Sequence, residues 1–432
     1  MISKFKPVAL YTIILLFCAP LVGILFLSAC APEHDKTYFP PSDDEGGWRK
    51  IEDTAKIQAT TGLDVATLDR AFEIAKASTK NGGLLVVHKG WLVYEDYFGL
   101  GHREAFTNLG SVGKSFTSVA AGIIMEEQPD RFPDGLDQQI YHPAYLPASA
   151  FPPTDPQKLE IKLGQLLAFS AGIRGNNPVY VNGEEKVIDP PGLDGWSGMV
   201  DSYVVGKKDY IQNGRTYTAS SLWSEPGGGY SYATASIHLV SMMVRHLSGM
   251  EMEEYLRARL AEPLGFSEFT FAYRNIEEVN HTTGGGGVVA RPTDMLRFGY
   301  LLLSRGTWDG QQIVPAWYVD QCRRTSSYNP HYPYSFQFNV NTGGNNPNAP
   351  RDAFWKYGSG GHALFVVPSL DLVIWKLGGR DSQYASDNIG LERHPEAPAT
   401  APDREGWTAG IEIEDACIQI LNIIIASVRD GG

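Results

Sequence analysis

The spacing of apolar residues along the chain predicts several helices. Residues 64–80 carry apolar side chains at helical intervals, Asp64 can cap the first turn, and Gly82-Gly83 ends the pattern. Further helical patterns cover residues 111–127, 234–247, 293–303 and 411–428. Two sides of the helix over residues 111–127 carry apolar or small side chains, and Lys114 is the charged residue on those sides. We therefore expect this helix to be buried.

Two pairs of apolar segments predict strands near opposite ends of the chain. Residues 84–87 and 91–94 flank Lys89-Gly90, a two-residue turn typical of a β-hairpin. Residues 363–367 and 372–377 form the second pair. Because the strands lie towards both ends and the middle is helical, we expect one α/β sheet built from both chain ends, with a helical insertion.

The first 29 residues are typical of an export signal rather than of a folded domain. Lys4 and Lys6 precede an apolar run from Val8 to Ala29. The run ends in Leu27-Ser28-Ala29-Cys30, which resembles a bacterial lipobox and so implies cleavage before Cys30 and a lipid on its sulfur. An uncleaved membrane anchor is the alternative, since about 22 apolar residues can span a bilayer. Both place the protein outside the cytoplasm, on the periplasmic or cell-surface side of a membrane.

Composition and the absence of metal-binding motifs argue against nucleic acid, metals and cofactors as partners. The chain has 432 residues, of which 43% are apolar and 20% charged, as in ordinary globular proteins. Its net charge of −13, without a basic stripe, argues against nucleic-acid binding. Neither Cys-x-x-Cys nor His-Glu-x-x-His occurs, so we expect no metal and no cofactor.

We expect Cys322 and Cys417 to be two buried thiols, although an exported protein can pair such residues.

Ser111-Val112-Gly113-Lys114 is an S-x-x-K sequence, which can activate a serine. Three residues apart on a helix, the hydroxyl and the amine lie on nearly the same face. Burial lowers the pKa of a lysine, so that its neutral amine can take the serine proton. The same four residues also fit a helix-capping serine beside a surface lysine, but the small, uncharged residues around Lys114 favour the functional interpretation.

Two glycine-rich segments supply further candidates. The turn at 226–229 presents Tyr232 just before the helix that begins near Thr234. A tyrosine beside a lysine can relay the serine proton, and Thr234 can bind Lys114 or the substrate. At residues 358–362, glycines precede a strand, where one backbone N–H can join that of Ser111 in an oxyanion hole. Taken alone, each segment also fits an ordinary turn.

Together these segments resemble the serine β-lactamase and penicillin-binding-protein superfamily, on its class C side, which includes esterases, D-aminopeptidases and nylon-oligomer hydrolases. Residues 111–117 match the S-x-x-K-x-x-T of that superfamily, and residues 226–249 are similar to its P-G-x-x-F-x-Y-S-N…S-G. Residues 161–173 and 286–298 resemble two further conserved stretches. The order and spacing are kept from about Gly62 to Val428.

The resemblance implies a fold and a division into domains. We expect an α/β fold of the α+β type, in which an antiparallel sheet is flanked by N- and C-terminal helices and a mostly helical second domain is inserted. The expected segments are a signal peptide at 1–29, a tether at 30–60, a sheet domain at 61–110 plus 281–432, and a helical domain at 111–280.

The resemblance also implies a serine hydrolase that works through an acyl-enzyme. Ser111 is then the nucleophile, Lys114 the base and Tyr232 the proton relay. The expected substrate and oxyanion contacts are Ser359, Gly360, Thr234 and His362.

Two departures from the superfamily pattern bear on the substrate. Thr234 replaces an asparagine, and the lysine or histidine that begins the third motif of lactamases has no clear match. We therefore expect an ester or a small amide as substrate, with a β-lactam or a D-amino-acid peptide as the alternative. The Thr234 substitution also permits a protein of another class, a non-catalytic, membrane-tethered binding or sensor protein with the same fold.

Overall fold

The computed structural model describes residues 38–392 and 413–430, which belong to one compact unit of the chain. The predicted signal peptide, the lipid site at Cys30 and the beginning of the tether lie outside the described residues. Among the helices that the model describes, none is both long and apolar enough to cross a bilayer.

A seven-stranded antiparallel sheet is built from both ends of the chain, as the sequence predicts. Its strands are β1 (Gly82–His88), β2 (Trp91–Phe98), β3 (Tyr334–Ser335), β4 (Phe338–Val340), β5 (Phe354–Gly358), β6 (His362–Val367) and β7 (Leu372–Leu377). Their order in the sheet is β3-β4-β5-β6-β7-β1-β2, so the first hairpin pairs with the last one. Val86 of β1 lies opposite Ile374 of β7. The turn at Lys89-Gly90 has positive φ at both residues, which suits the twist of a two-residue hairpin.

The described helices are α1 (Thr54–Thr61), α2 (Val65–Ser78), α3 (Gly113–Glu127), α4 (Leu163–Leu167), α5 (Asp201–Val204), α6 (Thr234–Ser248), α7 (Met252–Leu256), α8 (Pro292–Leu303), α9 (Ala316–Cys322), α10 (Ser386–Ile389) and α11 (Ile413–Asp430). Helices α2, α3, α6, α8 and α11 confirm the five predicted from apolar spacing. The Asp64 side chain accepts a hydrogen bond from the amide of Ala66, which confirms the predicted cap of α2.

Helices cover both faces of the sheet. On one face α2 and α11 pack together, and Leu68 and Ile420 belong to the same buried cluster as Ile374. On the other face α8 lies so close that a Cβ on its Gly299 would come within 2.5 Å of Val373. The sheet is therefore apolar on both sides, because each side is covered by helices.

The middle of the chain is mostly helical but also contains short β-hairpins that the sequence analysis did not predict. These pair residues 179–181 with 184–186 and residues 210–212 with 215–217. A small three-stranded sheet joins residues 107–108, 270–271 and 288–290. The domain boundaries expected from the sequence stay a prediction.

Cys322 and Cys417 are separate buried thiols, as expected. They belong to hydrophobic clusters on opposite faces of the sheet. Since the sheet lies between them, the two sulfur atoms cannot form a disulfide in this fold.

Candidate active site

Ser111 and Lys114 meet at the beginning of α3. Ser111 lies in a single 3₁₀ turn, Gly110–Val112, that leads into the helix, and Lys114 lies in the first helical turn. The Lys114 Nζ atom is 2.9 Å from the Ser111 Oγ atom and donates a second hydrogen bond, of 2.5 Å, to the carbonyl oxygen of Gly285. The lysine side chain is therefore held at two points, and one of them is the serine hydroxyl.

Lys114 is buried, and its surroundings lower the pKa of its amine. Only 2% of the residue is exposed. Burial penalises the ammonium form and brings the pKa down to about 8, while the nearby charge of Asp194 opposes the shift. A substantial fraction of Lys114 is thus neutral near pH 8, which is what a base for the serine proton requires.

Tyr232 faces the same two side chains from the segment just before α6. Its ring lies 5.3 Å from the Lys114 Nζ atom. Burial raises the pKa of its phenol, and a hydrogen bond with Ser111 opposes that effect. The phenol is therefore protonated at neutral pH, which suits a group that passes a proton on rather than one that removes it first.

A second buried lysine, Lys356 on β5, contacts Tyr232, and this corrects the expectation that the lysine of the third motif has no match. Its Nζ atom donates hydrogen bonds to the hydroxyl of Tyr232 at 3.1 Å and to that of Tyr334 at 2.6 Å. Burial lowers the pKa of Lys356 well below its ordinary value, and the nearby Lys114 lowers it further. Lys356-Tyr357-Gly358 thus places a buried lysine amine where the sequence analysis found no match.

Ser359 and Gly360 form the turn between β5 and β6 and lie against the Gly110-Ser111 segment. A Cβ on Gly110 would come 2.4 Å from the Ser359 Oγ atom and 3.0 Å from its amide nitrogen, so the two segments touch. The Gln383 Nε2 atom donates to the carbonyl oxygens of Ser359 and Asn108, at 3.0 and 2.7 Å. This glutamine, which the sequence analysis missed, fixes the turn beside Ser111.

His362 and Thr234 are not brought into the cleft. The His362 ring is fully buried and stacks on Trp375 at 5.9 Å, and Gln383 contacts both His362 and the carbonyl oxygen of Ser359. Burial lowers the pKa of His362 to about 3, so its ring is neutral. Thr234 is buried as well, and its methyl group packs against Gly285. Neither side chain is placed to touch a substrate.

The cleft in front of Ser111 has a volume of about 810 Å³. Tyrosines provide much of its wall, and the carboxylates of Glu414 and Asp415 also line it. Ser111, Tyr232, Lys356, Ser359 and Gly360 all reach this cavity. A pocket that combines aromatic walls with a few converging polar groups is typical of a small-molecule site.

A comparison with protein families matches residues 68–391 to the Beta-lactamase family model, which is well over half of the chain. The chain belongs to the beta-lactamase family. No curated protein sequence matches it at a significant level.

Solved structures share the beta-lactamase-family fold at low sequence identity. The hydrolase EstCE1, described as having promiscuous acyltransferase activity, is 17% identical with a TM-score of 0.57, covering 84% of this chain and 99% of its own. A penicillin-binding-protein homologue from Caulobacter crescentus is 14% identical with a TM-score of 0.54, covering 84% and 97%. Simvastatin synthase from Aspergillus terreus is 13% identical with a TM-score of 0.52, covering 85% and 98%.

The effect of Lys356 on this beta-lactamase-family site is testable. We expect Lys356→Met to lower the rate constant for acylation of Ser111 about 10²-fold, because the Tyr232 hydroxyl loses the hydrogen bond that Lys356 donates to it. The measurement is the rate of reaction with an activated ester. Lys158→Met is the matched control, since Lys158 is also fully buried but lies beside Thr154 and Tyr141, outside the cleft. Equal losses in both variants would contradict a role for Lys356 in the site.

Proposed function

We propose that the protein is a serine hydrolase that forms an acyl-enzyme with an ester or a small amide. The observation that carries this proposal is the buried Lys114 amine, 2.9 Å from the hydroxyl of Ser111, which lines a cleft together with Tyr232 and Lys356. The beta-lactamase family model supports a serine hydrolase in general. The fold shared with EstCE1, a hydrolase by name, agrees with it.

In the proposed acylation, the Ser111 Oγ atom attacks the carbonyl carbon of the substrate. The neutral Lys114 amine accepts the hydroxyl proton as the new C–O bond forms. The carbonyl oxygen becomes an oxyanion, which the backbone N–H groups of Ser111 and Ser359 stabilise. When the intermediate collapses, the bond to the leaving group breaks, and the leaving group takes a proton from the Tyr232 phenol.

The proposed deacylation uses the same groups in reverse. The Tyr232 phenolate formed in the first step is stabilised by Lys356, which donates to its oxygen. It takes a proton from water as the water oxygen attacks the acyl carbon. Lys114 then returns its proton to the Ser111 oxygen, which restores the resting site.

Within this class, Thr234 favours esters and small amides over β-lactams. Its side chain packs against Gly285 and offers no amide to a substrate, unlike the asparagine of the lactamase pattern. A β-lactam is the second candidate, because the Lys356 amine lines the cleft and can donate a hydrogen bond to a substrate carboxylate.

Two chromogenic substrates separate these candidates. We expect p-nitrophenyl esters of short acids to be hydrolysed with turnover, and a chromogenic cephalosporin to react more slowly by at least about tenfold in kcat/KM. Ser111→Ala protein serves as the control for background hydrolysis. A faster reaction with the cephalosporin would favour a lactamase, and acylation without turnover would favour a binding or sensor protein.

We also propose that the protein is exported and tethered to a membrane through lipid on Cys30. The proposal rests on Lys4, Lys6, the apolar run and the Leu27-Ser28-Ala29-Cys30 sequence. Labelled palmitate should be incorporated by the wild-type protein in a bacterial host and not by Cys30→Ala. Incorporation that is equal in both proteins would rule out this site.

A further inference from the structure

A polar cluster, in which His238 is buried and its partners are partly buried, lies outside the cleft. The His238 Nε2 atom is 2.9 Å from the Asp201 Oδ1 atom. The same carboxylate oxygen accepts a hydrogen bond from Arg245 at 2.7 Å and lies 3.2 Å from the His281 Nε2 atom. The His238 side chain is fully buried, and none of the four residues lines the cavity that holds Ser111.

Two histidines and an aspartate this close together are a possible metal site, but the hydrogen bonds of His238 argue against one. Its Nδ1 atom accepts the backbone N–H of Gly284 at 3.2 Å, so in the neutral ring the proton is on Nε2 and faces Asp201. A metal on Nε2 would move that proton to Nδ1, against the N–H of Gly284, whereas metal-binding histidines normally donate from the second nitrogen. Arg245 adds a positive charge at the same carboxylate.

The segment that His238 holds is the one that contacts Lys114. The Gly284 carbonyl oxygen accepts a hydrogen bond of 2.6 Å from Thr117, and the Gly285 carbonyl oxygen accepts the 2.5 Å bond from Lys114. Both glycines are pressed against α6. A Cβ on Gly284 would lie 2.0 Å from the Cβ of Ser241, and one on Gly285 would lie 2.4 Å from Thr234.

We propose that His238 is a positioning residue for the base: by accepting the Gly284 N–H it fixes the Gly284-Gly285 segment so that the Gly285 carbonyl orients the Lys114 amine towards Ser111. This proposal rests on the proposed function. A neutral amine has two N–H bonds and one lone pair. When one N–H is directed to the Gly285 oxygen, rotation about the last side-chain bond is restricted, and the lone pair can be kept towards the Ser111 hydroxyl.

Two substitutions at His238 separate its two hydrogen bonds. In His238→Asn the side-chain oxygen is the same number of bonds from the backbone as Nδ1, so it can still accept from Gly284 but cannot reach Asp201. In His238→Gln the side-chain amide can reach Asp201 but leaves the Gly284 N–H without its acceptor. Ser241→Ala is the control, since the Ser241 hydroxyl packs near Gly284 and has no hydrogen-bond partner among the described residues.

We expect His238→Gln to lower kcat for ester hydrolysis about 10–100-fold with little change in KM, because the base is misplaced while the cleft is intact. We expect His238→Asn and Ser241→Ala to stay within about threefold of the wild type. Thermal unfolding of all three variants shows whether they fold. If folded His238→Asn is as slow as His238→Gln, or if neither differs from the wild type, the proposal is wrong.

A second measurement does not depend on catalysis. The NMR signal of the Lys114 ε-methylene group, assigned with Lys114→Met, reports the protonation of the amine. Burial is the main reason for its low pKa, so a loosened Gly285 segment that admits water should raise the titration midpoint in His238→Gln but not in His238→Asn. If the wild-type protein fails to hydrolyse esters, this titration still tests the positioning role. A midpoint that is unchanged in both variants, or a gain of stability with Zn²⁺ that needs His238, would overturn it.

Discussion

Ser111→Ala is expected to reduce ester hydrolysis to the uncatalysed background, a loss of about 10⁴-fold or more, because it removes the hydroxyl that lies 2.9 Å from the Lys114 amine. The measurement is kcat/KM with a p-nitrophenyl ester. Ser115→Ala is the matched control, since Ser115 lies one turn further along α3, is fully buried, and donates its hydroxyl to Gln337 away from the cleft. It should remain active even if its melting temperature falls.

A Ser111→Ala protein that is folded and keeps more than about a tenth of the wild-type rate would contradict the proposed nucleophile. A Ser115→Ala protein that loses as much as Ser111→Ala would show that the assay reports folding of α3 rather than the chemistry of one hydroxyl.

Lys114→Met is expected to lower the acylation rate by about 10²–10⁴-fold while the melting temperature stays the same or rises. The rate falls because the serine proton has no acceptor. The stability holds because methionine fills nearly the same volume without a group that must be desolvated or lose its charge. The measurements are stopped-flow acylation and thermal unfolding on the same preparation.

The two effects of Lys114→Met have opposite directions, which makes the variant informative. A lysine kept for packing or for its charge would give a variant with lower stability and little change in rate. That outcome would contradict the role of Lys114 as a base.

Local sequence patterns predicted the elements that carry Ser111 and Lys114. The apolar spacing over 111–127 identifies α3, and S-x-x-K places the amine on the same side as the hydroxyl. The hairpin at Lys89-Gly90 and the helices α2 and α6 are equally local features, set by capping, turn residues and periodicity. These parts of the fold could therefore be predicted without knowing what packs against them.

Contacts that join distant parts of the chain could not be predicted in this way. Lys356 looks like any strand lysine until β5 pairs within the sheet and faces Tyr232, 124 residues away in sequence. Gln383 and Gly285 contact the site through a side-chain amide and a carbonyl oxygen, which no residue pattern near Ser111 reveals. The Lys-Tyr-Gly sequence directly before Ser359 was the one available signal.

The error at His362 has a related cause. Its position next to the glycine turn suggested a pocket residue, but the strand directs its ring onto Trp375, and Gln383 contacts both His362 and the Ser359 carbonyl oxygen. Adjacency in sequence is thus a poor guide to which side chains at a strand entry reach a cleft.

The most direct test of the central claim is the pH dependence of covalent labelling at Ser111. Wild-type protein is treated with a fluorophosphonate at pH values from 6 to 10, and the adduct on the Ser111 peptide is quantified by mass spectrometry. Because Lys114 must be neutral to act as the base, the labelling rate should increase as the pH is raised, and the midpoint of the increase should be about pH 8. Lys114→Met should remove this increase. Absence of an adduct on Ser111 in folded protein, or a wild-type rate that does not change with pH, would contradict the account.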